Sequence, residues 1–216
     1  MVAKTTKKRA AQSSGCRYDN TRHGFLFDIA QYCHGLFMRA GYNETMTANM
    51  TNAVPDGIVI RIVSGAQTGV DRAALDAALA MGVPAGGWVP EGRKAEDGII
   101  SAHYPVQELA GAGYRERTRQ NVIDSDATLI VYFDELSGGT LATLRDCKQY
   151  KKPYCLIDAS DTDIERAVEE IMAFIKSNAI AVLNVAGPRA SGEIRAYDYT
   201  KQVLTELLTA LHSAKR

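Results

Sequence analysis

From residue 57 onward the chain alternates between two textures, and this alternation constrains its fold more than any other feature. Short runs of β-branched and aliphatic residues stop at small residues, and helical stretches follow them. Residues 58–63 (IVIRIV) form the first run and end at Ser64-Gly65. Residues 70–81 read as a helix closed by Gly82, with alanines small enough to lie close against a sheet. Residues 84–89 read as a second strand, 115–122 as a helix and 128–133 as a buried strand. A helix over 140–150 and a strand over 154–157 follow. In the next helix Ile164, Ala167, Val168, Ile171, Met172 and Ile175 form an apolar stripe, with Ser160 or Asp161 as cap. Residues 181–186 are the last strand, and Val203, Leu204, Leu207, Leu208 and Leu211 line a final helix. Strands apolar throughout, separated by helices of this length, predict an α/β fold. Its form is a Rossmann-like, doubly wound parallel sheet in three layers, α/β/α, making a single domain over residues 56–216.

Residues 1–55 show neither texture and are expected to be an N-terminal extension, poorly ordered or a peripheral helix. They carry a formal +4, and residues 56–216 carry −4, so the net charge of zero is a sum over unlike parts. The apolar stretch near Phe25, Leu26 and Phe27 is broken by Asp28, His34 and Arg39. It is too interrupted for a membrane span and too far from the start for a signal peptide. The charge balance argues against a nucleic-acid partner held by bulk positive charge. Cys16, Cys33, Cys147 and Cys155 show no CxxC or Cys/His spacing and read as buried small residues or free thiols, which suits the cytoplasm. No metal site is expected.

In a doubly wound sheet, ligands bind beyond the carboxyl ends of the strands. Three strand-to-helix junctions are unusual there. In the first, Ser64, Gly65, Gln67, Thr68 and Gly69 lead into a helix that opens with Asp71 and Arg72, so backbone N–H groups and the helix dipole can face an anion. The pattern is neither GxGxxG nor GxxxxGK[ST], and the alternative reading is a tight turn that needs glycine. The second junction is Ser137, Gly138, Gly139 and Thr140, where paired glycines admit a ligand to the backbone and the hydroxyls bind phosphate or cap the helix. The third closes the last strand with Gly187 and Arg189, a guanidinium suited to phosphate or carboxylate. Arg93, Arg117 and Thr118 fall in or beside loops at the same edge, and Trp88 stacks on a ring or packs in the core. No nucleophile, base and acid assemble, so no catalytic residue is assigned. The inferred partner is a small anionic molecule.

Five ordered blocks carry a family resemblance: SGAQTGVDRAALDAAL (64–79), GGWVPEGRKAEDG (86–98), RTRQNVIDSDATLIV (117–131), SGGT (137–140) and LNVAGPR (183–189). Over about residues 58–212 the chain resembles the putative molybdenum carrier family, and through it the molybdenum cofactor carriers of algae and bacteria. The resemblance implies a Rossmann-like fold and a homo-oligomer. It also implies a cargo, molybdopterin, a phosphorylated pterin bearing dithiolene-bound molybdenum, or else a nucleotide. The wider superfamily includes cytokinin-activating phosphoribohydrolases. Arg117 matches their catalytic arginine, but Arg145 stands where their catalytic glutamate belongs. A cation there opposes an oxocarbenium-like transition state. A non-catalytic carrier is therefore the first expectation. The alternative is a hydrolase-type enzyme on a nucleotide derivative, with Asp71, Asp97 or Asp126 as acid or base.

Overall fold

The computed structural model describes residues 60–213. The expected 1–55 extension and residues 58–59 of the first expected strand lie outside them. In chain order the elements begin with β1 (Arg61–Val63), α1 (Val70–Ala80), β2 (Ala85–Gly86), β3 (Trp88–Pro90), β4 (Lys94–Ala95), β5 (Gly98–Ile99) and β6 (Gln107–Leu109). They continue with α2 (Tyr114–Ile123), β7 (Ala127–Tyr132), α3 (Gly138–Gln149), β8 (Tyr154–Asp158), α4 (Ile164–Asn178), β9 (Val182–Ala186) and α5 (Ala196–Ser213).

Five strands form one parallel sheet in the order β2-β1-β9-β7-β8. The chain's last strand is thus the central one, pairing Leu183 with Ile62 on one side and Val185 with Leu129 on the other. Numbering the strands from β9 as the first gives the order 3-2-1-4-5, five of the six strands of the dinucleotide-binding order 3-2-1-4-5-6. The direction of winding reverses between β9 and β7. In open α/β sheets the ligand crevice lies at that switch, beyond the carboxyl ends.

Both faces of the sheet are covered, which is why its strands are mostly apolar. On one face, Ile62, Leu129, Val131, Leu183 and Val185 join a core with α1, α4 and α5 that includes Phe174, Ile171 and Leu204. On the other, Ile130 packs with Val122 of α2 and Leu144 and Cys147 of α3. Adjacent residues of β7 therefore enter different cores, as a pleat with period two requires. Cys147 is a free thiol buried in the second core, and Cys155 is buried in the first.

Two sequence expectations need correction. The strand expected over 84–89 divides at Gly87, whose φ of +133° and approach to the Ser64 backbone leave no room for a side chain. A Cβ there would stand 2.1 Å from Ser64 O. The chain bends, β2 stays in the main sheet, and β3 pairs with β6 in a separate parallel pair. The cap of α4 is Asp163, which accepts the Arg166 N–H at 2.8 Å, and not Ser160 or Asp161. Its position three residues before that N–H fits the usual cap geometry. No helix of the described residues is long and apolar enough to cross a membrane.

Candidate functional site

A cleft of about 590 Å³ opens at the winding switch, a size ordinary for small-molecule sites. Its walls come from the segments that leave three strands. Gln67 and Asp71 follow β1, residues 137–140 follow β7, and Ala186, Gly187, Pro188, Arg189 and Gly192 follow β9. The fourth wall is the first turn of α2 with Tyr114, Arg115, Arg117 and Thr118.

At the 137–140 loop, Ser137 takes an extended backbone as the residue before α3, and its side chain makes no capping hydrogen bond. The first regular helical bond runs from Leu141 N to Ser137 O at 3.0 Å. The amides of residues 138, 139 and 140 thus lack intrahelical acceptors, as at any helix start. A Cβ built on Gly139 would meet nothing within 4 Å, so the backbone here faces open space. Thr143, one turn on, returns its hydroxyl to Gly139 O at 3.0 Å.

A buried ion pair also lines the cleft. Arg117 Nη1 donates to Asp71 Oδ2 at 3.0 Å, and the side chains are 11% and 6% exposed. Burial pushes the Asp71 carboxyl above its ordinary range, with the Arg117 guanidinium opposing that shift. Arg117 Nε is buried and has no hydrogen-bond partner. The other two arginines of the cleft are also matched to carboxylates. Arg115 forks onto the fully buried Asp146, and Arg189 lies 3.6 Å from Glu96. The formal charge of these six groups is zero.

Glu96, in the two-residue turn of the β4–β5 hairpin, ties the first and last loops together. Its carboxylate accepts from Thr68 Oγ1, Ser191 Oγ and Ser191 N, while Gln67 Oε1 accepts from Glu96 N and Thr68 N. Burial works against ionisation of Glu96, but the hydrogen bonds from Ser191 and Thr68 hold its pKa below the ordinary value.

Ten of the expected site residues line this one cleft: Gln67, Asp71, Arg117, Thr118, Ser137, Gly138, Gly139, Thr140, Gly187 and Arg189. Seven are placed elsewhere. Ser64 is buried and donates to Val185 O at 2.7 Å, which links β1 to β9. Gly65 lies under the Arg117 guanidinium. Gly69, at φ +75°, sits 2.5 Å from Pro188 O measured from a would-be Cβ, and so lets two loops touch. Thr68 is held by Glu96 and receives the Ala190 N–H, and Arg72 is paired with Asp97. Arg93 spends its guanidinium on four carbonyls, those of Ile100, Ser101, Tyr104 and Val106. Trp88 donates from Nε1 to Asp124 at 2.7 Å and borders a different, smaller cavity of about 190 Å³.

Tyr114 and Arg115 line the cleft but were not among the expected residues. A readable signal existed: Gly113 with Glu116 three residues on marks a helix start, and Glu116 Oε2 indeed accepts the Gly113 N–H at 3.0 Å. That start places Tyr114 in the first turn. Among the described residues no group of three His, Cys, Asp or Glu is placed to hold a metal ion. Of the three acids considered for the enzyme alternative, Asp71 alone lines the cleft. Asp97 pairs with Arg72, and Asp126 accepts the backbone N–H groups of Ala181 and Val182.

Fold and cleft together define an α/β protein with a Rossmann-like sheet whose first strand has moved to the end of the chain. The circularly permutated YpsA SLOG family matches residues 62–208, and the chain belongs to that family. It is also similar to the crystal structure of a putative molybdenum carrier protein from Syntrophus aciditrophicus SB. The two share 45% identity with a TM-score of 0.68, over 69% of this chain and 95% of that one. Comparison with curated proteins gives no match.

Proposed function

We propose that the protein is a carrier of the molybdenum cofactor, or of a closely similar phosphorylated, nucleotide-like molecule, and holds it in the cleft at the winding switch. The observation that carries this reading is the meeting of two glycine-bearing loops at one cleft wall each: 137–140, whose Gly138 and Gly139 face open space, and 187–189, where Gly187 packs closely on Val70. Free amides at the start of α3, the Ser137 hydroxyl and the Arg189 guanidinium suit a phosphate. The cofactor carries its molybdenum on its own dithiolene, so what it asks of a protein is phosphate and ring contacts. The similarity to a structure named as a molybdenum carrier supports the same cargo. The reading extends to a cytoplasmic homo-oligomer that shelters its ligand, with no nucleic-acid or membrane partner.

Its test is the unfolding midpoint of the purified protein with cofactor, pterin phosphate, molybdate or nucleoside monophosphates. Ligand at about 100 times its dissociation constant adds about 2.7 kcal/mol to stability. A midpoint unmoved by all of them would sink the reading.

One observation favours a second reading. The buried Asp71 carboxyl, shifted upward and set beside Arg117 inside the cleft, is the kind of group hydrolases use as acid or base. If the protein turns over a nucleotide derivative, a nucleotide panel will release base or phosphate, and Asp71→Asn will stop the release.

A further inference from the structure

We infer that Tyr114 is the ring-binding wall of the cleft, so that the cleft takes an anion joined to a flat heteroaromatic ring, as in a pterin or purine. This rests on the anion-binding reading above and deepens it. Among the described residues Tyr114 is the only aromatic one lining the cleft, and it is 49% exposed, one of three large hydrophobic side chains so exposed. The other two, Ile99 and Ile194, do not line it. Its phenolic oxygen has no partner among the described residues, and no core cluster includes its ring.

Local structure fixes the backbone that carries this ring. Tyr114 is the first residue of α2, next to the Gly113 whose N–H is bound by Glu116. Its carbonyl accepts the Thr118 hydroxyl at 2.8 Å. Residues i and i+4 share a helix face, and Tyr114 and Thr118 both line the cleft. An aromatic surface left exposed on a fixed turn suits face-to-face contact with a planar ring, and the rest of the cleft offers glycine, hydroxyl and guanidinium groups beside Gln67, Asp71, Ala142, Ala186 and Pro188. Trp88, the other candidate for this role, is committed to Asp124 at a different cavity.

The test compares a ring-bearing anion with the same anion lacking the ring: guanosine monophosphate against ribose 5-phosphate, titrated calorimetrically into wild type, Tyr114→Ala and Tyr114→Phe. Wild type will bind guanosine monophosphate more tightly. Tyr114→Ala will lose about 10-fold or more of that affinity, the size of one base–aromatic stack, with ribose 5-phosphate unchanged. Tyr114→Phe will retain the affinity. Equal affinity of wild type and Tyr114→Ala for guanosine monophosphate overturns the inference. If wild type binds ribose 5-phosphate and gains nothing from the base, the inference fails and the anion site stands. Binding of neither compound overturns both.

Discussion

The guanidinium of Arg117 lies where a side chain on Gly65 would begin: a Cβ built on Gly65 would stand 1.3 Å from Arg117 Nη1. Only glycine at position 65 lets the arginine cross the first loop and reach Asp71. In Gly65→Ala the guanidinium must swing aside, which breaks a pair buried on both sides. Removing one partner of such a pair costs about 3–5 kcal/mol, and displacement alone should cost about 1–3 kcal/mol. Denaturant unfolding of Gly65→Ala, Asp71→Asn and the double variant checks this. The two effects will be strongly non-additive, because the second change removes the carboxylate the first one strands.

Gly139→Ala should separate folding from binding. The added methyl meets nothing within 4 Å inside the protein, and alanine is favoured over glycine in a helix. Stability should hold or rise by about 0.5–1 kcal/mol. If a phosphate approaches the backbone here, as proposed, the methyl would stand in its way, and affinity for an anionic ligand should fall at least about tenfold, a loss of about 1.4 kcal/mol. Calorimetric titration beside thermal unfolding reads both.

Arg93→Ala should behave in the opposite way. Four carbonyls of the 100–106 segment rely on this guanidinium, and bonds from a charged donor contribute about 1.5–3 kcal/mol each where buried. Three of these bonds are part-buried and the fourth is exposed, so water replaces much of each, and a loss of about 2–4 kcal/mol in unfolding free energy is expected, with ligand affinity of the remaining folded protein unchanged.

Burial raises the Asp71 pKa in the folded chain above its ordinary value of 3.8, so between those two values the native state holds more protons than the unfolded one. Stability contributed by this group is complete below the ordinary value and falls as pH rises toward the folded one. Asp71→Asn cannot lose it. The unfolding free energy of Asp71→Asn minus that of wild type should therefore climb with pH above about 4 and then level off. A flat or falling difference over that window would contradict the burial of an ionisable Asp71.

Much of the fold was legible because burial on both faces leaves its mark in composition. The runs at 128–133 and 181–186 could be little else than interior strands. The order of strands was not legible, since periodicity records what a strand buries and not which neighbour it pairs with. Nothing in residues 182–186 announces that the last strand is the middle one. The split at Gly87 depends on the approach of Ser64, a contact made across the sheet. At the cleft, glycine loops and hydroxyls were readable from their place after strands. Arginines were harder to place, because the same fork that suits phosphate also suits carbonyls, as at Arg93, or a buried carboxylate, as at Arg115.

The central claim is tested most directly by native mass spectrometry with metal analysis, on wild type and Gly139→Ala purified from cells that make the molybdenum cofactor. The account predicts a phosphorylated pterin with about one molybdenum per chain on wild type, by the one-site model, and little of either on Gly139→Ala. Wild-type protein that carries neither pterin nor molybdenum, even after incubation with the isolated cofactor, would contradict it.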